Sequence, residues 1–458
     1  MFAAKVKSPF VILLAIIILG ALFISLSEDE PVVKVASDYS LNIKNWQTDN
    51  GSKVIFVQAD ELPMLDVRVV FDAGSARDGK QPGLASFTNM MLDLGAGEWN
   101  TNEIAERMDS IGASIGTSAL RDMAVVSLRS LTDKVILTKA MDTLAAVLHT
   151  PRFPETEMAR ERKQVLISLK NKQQSPGDIV EELFYKNLYG DHAYATPVLG
   201  TVDSVKAFSR NDLVGFYKKY YVASNAVIAM VGAIDEKQAR EIANRLSNGL
   251  GKGQHAPALP AVPHKQHTDV VTQHHPSTQT HILAGQAGMM RGDKDYFPLY
   301  VGNHILGGSG FGSRIVEEIR EKRGLAYSSY SYFLPMRQTG PFIMGLQTRN
   351  GQAKEALQIL NKTLTDFIEQ GPTADELDHS KKNITGGFPL RIDSNKDITE
   401  YLALIGFYDL PLDYLQSFNR NVLSVTREQI MDAFKRRVNP TNLLTVMVGN
   451  MEQAKQAK

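Results

Sequence analysis

Apolar residues recur along this chain with two periods. In Leu65–Phe71 and Ala326–Phe333 they alternate with polar or small residues, the period-2 mark of a strand. In Asp133–Leu148, Glu155–Lys172, Asp178–Leu188 and Ala353–Gln370 they return every three or four residues, which predicts long amphipathic helices. Shorter elements lie between. Strands are predicted at Lys53–Val57, Ser114–Ala119, Met123–Leu128, Val270–Thr272, Thr280–Gly285 and Phe342–Thr348, with a buried one at Asn225–Val231. Further helices are predicted at Gly83–Leu94, Asn102–Ile111, Asn211–Tyr220 and Tyr296–Leu306.

The passage Gly249–His267, GLGKGQHAPALPAVPHKQH, has no apolar period and is rich in Gly, Pro and His, the composition of a linker. Beyond it the order of elements recurs, and so do some letters. LVGFYKKYYVASNAVIAMVGAI from Leu213 matches IMDAFKRRVNPTNLLTVMVGNM from Ile430. Tyr217 and Phe434, Lys218 and Lys435, Asn225 and Asn442, and Gly232 and Gly449 fall at one offset of 217, and Pro154 and Pro372 at 218. A nearly constant offset at separated points predicts a duplicated α+β domain. Residues 31–248 and 269–458 are the two copies, each a mixed or antiparallel sheet packed with helices, and 249–268 joins them.

The composition adds two bounds. Lys+Arg and Asp+Glu are equal at 50 each, so no net charge points to nucleic acid. There is no cysteine, which removes disulfides, thiolate metal sites and cysteine nucleophiles. The start of the chain stands apart: Ser8–Ser27 carries no charge, follows Lys5 and Lys7, and precedes Glu28, Asp29 and Glu30. Residues 1–30 are therefore expected to be a signal anchor, a single transmembrane helix. It would hold the body in the periplasm at a bacterial inner membrane. The alternative is a cleaved signal peptide that releases the chain to the periplasm.

Candidate chemistry centres on Gly307–Phe333, GGSGFGSRIVEEIREKRGLAYSSYSYF. Ser313 stands where an N-cap belongs, with Glu317 and Glu318 in the opening turns, and Gly324 supplies the stop. Arg320 then lies in the last helical turn and Tyr327 at the mouth of the next strand. A guanidinium and a phenol at one corner can both donate to a peptide carbonyl or an oxyanion. A duplicated α+β chain carrying this block resembles the pitrilysin/insulinase family of metallopeptidases, the inverzincins. Within it, the likeness is to the short-subunit branch that includes the mitochondrial processing peptidase. The resemblance implies two halves that close like a clamshell. It also implies that Arg320 and Tyr327 contact substrate backbone and help to stabilise a tetrahedral intermediate.

The same resemblance exposes a loss. Active members carry H-x-x-E-H on a helix, where two histidines grip zinc and the glutamate activates water. The matching segment here is Gly83-Leu84-Ala85-Ser86-Phe87-Thr88-Asn89-Met90-Met91, so Ser86 and Met90 replace the histidines and Asn89 the base. The third ligand position falls on Ser168, seven residues after the retained Glu161. Asn cannot take a proton from water and a thioether is a poor zinc ligand. No zinc is expected in this chain. His264, His267, His274 and His275 lack a carboxylate at ligand spacing and read as solvated linker residues.

The expected role is that of a non-catalytic subunit of a heterodimeric zinc peptidase. An H-x-x-E-H partner would carry the zinc, and peptide or unfolded protein would be held by strand addition near Ile115–Ala119 or Tyr327. The alternatives are a peptide-binding scaffold without a peptidase partner, and a peptidase active on its own through unorthodox residues.

Overall fold

The computed structural model describes residues 41–263, 270–450 and 452. Two sheets form its framework. The first contains β1 (Lys44–Gln47), β2 (Lys53–Gln58), β3 (Met64–Phe71), β4 (Ser114–Ala119), β5 (Ala124–Leu131) and β6 (Ala226–Gly232), in the order β1-β2-β6-β3-β5-β4. The second contains β7 (Val270–His274), β8 (Gln279–Ala287), β9 (Ala326–Phe333), β10 (Pro341–Arg349) and β11 (Leu444–Gly449), in the order β7-β11-β8-β10-β9. Apart from β1, the two sheets repeat one connectivity. In each, a single parallel pair (β2 with β6, β7 with β11) sits beside antiparallel neighbours. Gly232 and Gly449, matched in sequence, end the equivalent strands β6 and β11. A Cβ on Gly232 would lie 2.2 Å from the Met64 carbonyl oxygen, and one on Gly449 would lie 2.5 Å from Thr280 Oγ1.

The strand sequences explain their places. β6, AVIAMVG, and β11, LTVMVG, are buried along their whole length and occupy sheet interiors. β4, SIGTSA, and β9, AYSSYSYF, are more polar and are the terminal strands.

Helices cover the sheets, and two of them cross over. Pro176–Tyr189, from the first half, packs on β11 and β8 of the second sheet. Asn395–Tyr408, from the second half, packs on β6, β3 and β2 of the first. The crossings are close: a Cβ on Gly406 would lie 2.6 Å from Val227 Cγ1, and one on Gly285 would lie 2.9 Å from the Phe184 ring. One core cluster therefore joins Ile55, Val70 and Val227 of the first sheet to Leu402, Ile405 and Phe407 of the second half. Residues 41–458 form one compact unit. The described part of the linker, up to residue 263, is pinned to the body, with Leu259 buried. Carbonyls of Pro257, Pro260 and Leu259 accept from Arg77 (2.7 Å), His192 (2.9 Å) and Gln338 (3.0 Å).

The expected transmembrane helix must be corrected. Among the described residues no helix is long and apolar enough to cross a membrane. The stretch that carried this expectation, residues 1–30, lies outside the described residues. The single-pass inner-membrane placement is withdrawn, and the architecture is a mixed α/β arrangement of two sheets with helices.

Candidate functional site

The Gly307–Phe333 block is built from unusual turns. A π turn at His304–Gly308 leads into the glycine-rich segment, where Gly310 has φ +64. Arg314–Val316 is α-helical, and Glu317–Glu321 widens into a second π turn, in which Lys322 N–H bonds the Glu317 carbonyl at 2.9 Å. Such wide turns re-aim side chains and recur at functional sites. Ser313 precedes the helix, but its hydroxyl donates back to the Gly310 carbonyl at 2.7 Å and caps nothing. The helix is instead anchored by Arg314, whose fork bonds both oxygens of Glu376 at 2.6 and 2.7 Å. Gly324, at φ +59, ends the turn as expected and delivers the chain into β9.

This path brings Arg320 and Tyr327 together. The Arg320 guanidinium lies 4.5 Å from the Tyr327 ring centre and 4.4 Å from that of Phe311, within cation–π range of both. Its Nη1 makes a long 3.5 Å bond to the Tyr327 carbonyl, and its Nε lies 3.3 Å from Glu321. Phe311 and Tyr327 are 70% and 77% exposed, so the aromatic–Arg–aromatic stack stands in solvent and can receive a ligand. Phe311 was missed by sequence reasoning; its only signal was a large apolar residue within GGSGFGS. β9 pairs only with β10, which leaves its outer edge without a strand partner among the described residues. β4 pairs only with β5 and is likewise open.

The matched zinc helix runs Leu84–Met90. It is capped by Asp78, whose oxygens accept from Gly83 N–H and Ala85 N–H at 2.7 Å each. Burial pushes the Asp78 carboxyl up to about 7, against the two backbone bonds that hold it down. Ser86 and Asn89 are buried, and Met90 packs partly buried against the first core. The Asn89 amide donates to the Val125 carbonyl at 3.3 Å and to the Tyr221 hydroxyl at 3.2 Å. Ser168 is half-buried and donates to the Gln164 carbonyl of its own helix at 3.1 Å, while Glu161 lies 3.3 Å from Arg160. These groups do not fit a zinc ion: the Asn89 nitrogen is spent on the core and its oxygen, left without a partner, is neutral, while the hydroxyls and the thioether are poor ligands. Among the described residues no group of three His, Asp or Glu side chains could hold a metal. His264 and His267 lie outside the described residues; His274 ends β7, and His275 N–H bonds the Gly449 carbonyl at 2.8 Å.

The comparisons agree with this geometry. Residues 53–202 match the model described as insulinase (peptidase family M16), and residues 207–384 that of the peptidase M16 inactive domain. An "uncharacterized zinc protease YmxG" of Bacillus subtilis is 27% identical over 353 residues, 77% of this chain and 85% of its own. The "non-peptidase homolog YmxG" of Helicobacter pylori is 26% identical over 412 residues, 88% and 93%. A Pseudomonas fluorescens structure, described as a peptidase M16 inactive domain, is 38% identical with a TM-score of 0.87. It covers 89% of this chain and 98% of its own.

Proposed function

Because the chain belongs to the insulinase, or M16, family of metallopeptidases, we propose that it is a non-catalytic, peptide-binding subunit completing the site of an H-x-x-E-H partner. One observation carries the reading. The family's zinc-ligand positions are occupied by Ser86, Met90 and Ser168 and its general-base position by Asn89, whereas Arg320 and Tyr327 are kept and stacked in solvent beside an open strand edge. Peptide adds as a strand to β9 or β4, contributing backbone hydrogen bonds at the open edge. Arg320 orients a peptide carbonyl through its fixed fork of donors, and the Tyr327 hydroxyl donates to the oxyanion that develops in the partner's site. The partner supplies the hydrolytic chemistry.

The test is turnover of a reconstituted complex. Tyr327→Phe is expected to lower it by roughly 10²–10³-fold, the range for an oxyanion donor; unchanged turnover defeats the assignment. The Helicobacter pylori relative is named a non-peptidase homolog, which suits equally a second reading, a peptide-binding scaffold without a peptidase partner. Purification of the chain from its native source separates the two. A near-equal amount of an H-x-x-E-H protein supports the subunit, and its absence supports the scaffold.

A further inference from the structure

Phe311 stands in the glycine-rich segment that leads into the Arg314–Val316 helix, and both ends of that segment are tied down. At its start, Gly307 packs so closely on β9 that a Cβ would lie 2.4 Å from Ser331 Oγ. At its end, Ser313 N–H and the Ser313 hydroxyl both donate to the Gly310 carbonyl, at 3.0 and 2.7 Å. Between these ties Gly310 takes φ +64 with open space where a Cβ would stand, so the backbone angle alone calls for glycine there. A large apolar ring is thereby held out in water by a stretch otherwise made of Gly and Ser.

A single exposed apolar residue needs no explanation by itself. What sets Phe311 apart is the group it meets. The Arg320 guanidinium lies over the Phe311 ring as well as over that of Tyr327. Beside these two exposed rings the Arg320 side chain is only 29% exposed. Its polar ties are loose: 3.5 Å from Nη1 to the Tyr327 carbonyl and 3.3 Å from Nε to Glu321, with no hydrogen bond from Nη2 among the described residues. Arg314 is the contrast, since its fork is spent on both oxygens of Glu376. A carboxylate fixes a guanidinium by consuming its in-plane N–H donors, whereas a ring face holds it and leaves them free.

We propose that Phe311 is a positioning residue for Arg320: its ring holds the guanidinium at the corner beside Tyr327 and keeps the Nη2 donors available to a peptide carbonyl. The inference rests on the peptide-binding reading and deepens it by one residue, which acts on Arg320 rather than on the peptide.

The experiment follows the binding of fluorescein-labelled casein, an unfolded protein, to the full chain by anisotropy. Arg320→Ala should weaken binding roughly tenfold or more, the loss expected of hydrogen bonds from a charged donor. Phe311→Leu keeps the apolar bulk but has no ring face. It should weaken binding roughly two- to fivefold, the worth of an exposed cation–π contact, in a protein whose melting temperature is unchanged. Phe311→Tyr restores the ring and should bind like the native chain. In the Arg320→Ala background Phe311→Leu should cost nothing further, because the group it holds is gone. Native-like or tighter binding by Phe311→Leu overturns the proposal, as does a Phe311→Tyr variant as weak as Phe311→Leu. An equal loss from Phe311→Leu with Arg320 absent makes Phe311 a direct contact and also overturns it. All three leave the peptide-binding reading standing while Arg320→Ala still weakens binding. Casein bound equally by the native chain and Arg320→Ala, or by neither, removes the role of Arg320 in that reading and this proposal with it.

Discussion

Asp122→Ala is the most informative perturbation of the scaffold. Asp122 is buried at the tip of the β4–β5 hairpin, yet its partners come largely from the second half. One oxygen accepts from the Tyr194 hydroxyl at 2.6 Å; the other accepts from the Tyr408 hydroxyl at 2.9 Å and from Arg337 N–H at 2.7 Å. Tyr194 in turn accepts from Gln338 N–H at 2.9 Å. Truncation removes the one charged acceptor and strands two phenols and an amide. Stranding each buried donor costs about 1–3 kcal/mol, and partial relaxation brings the set to about 3–6 kcal/mol. The unfolding entropy of the compact unit, residues 41–458, is about 0.9 kcal/mol/K at roughly 2.1 cal/mol/K per residue. The melting temperature should therefore fall by about 3–7 °C in a calorimetric or circular-dichroism scan. Tyr408→Phe removes one donor and leaves Asp122 with two, so it should lower the melting temperature by only about 1 °C, whereas Tyr194→Phe also strands Gln338 N–H and should lower it by about 2–4 °C. An Asp122→Ala protein melting within 1 °C of the native chain, or no more perturbed than Tyr408→Phe, refutes this account.

Three further outcomes are expected. Asp78 has its carboxyl raised in the folded state to about 7. Its contribution to stability is therefore greatest below about pH 4 and lost as pH rises through about 7; Asp78→Asn should flatten that part of the melting-temperature profile between pH 5 and 8. Gly406→Ala places a methyl 2.6 Å from Val227 Cγ1 and 2.9 Å from Ile55 Cδ1. It should destabilise by about 1–3 kcal/mol, seen as a fall of a few degrees at most. Chelator treatment should leave the melting temperature of the purified chain unchanged, and elemental analysis should find far less than one zinc per chain; stoichiometric zinc would contradict the reading of Ser86, Asn89, Met90 and Ser168.

Elements with one clean period were legible in the sequence. The helix Ala353–Gln370 and the strands β4 and β9 lie where their patterns predict. The helix Asn395–Tyr408 was not legible, because it buries residues on more than one face: Ile398, Leu402, Ala403, Ile405 and Phe407 leave no single apolar stripe. Ala374–Gly387 was hidden for the opposite reason, with only Ser380 and Ile384 buried among polar residues. Glu236–Asn248 could have been found, since Asp235 and Gln238 form a capping box at its start. At the site, a helix–stop–strand sequence was enough to place Arg320 beside Tyr327. Nothing in the pattern announced the π turns, and the bonds from Asn89 to Val125 and Tyr221 were hidden because their partners are distant in the chain.

The crossing of Pro176–Tyr189 and Asn395–Tyr408 over each other's sheets has a consequence for how this protein can be divided. A chain severed at the linker would yield two fragments, each with a sheet missing its roof and a helix missing its floor. Neither fragment should persist as a soluble monomer, yet the pair carries complementary exposed faces and should reassemble when mixed. The smallest inheritable piece of this architecture is accordingly the whole tandem, however plainly its letters repeat.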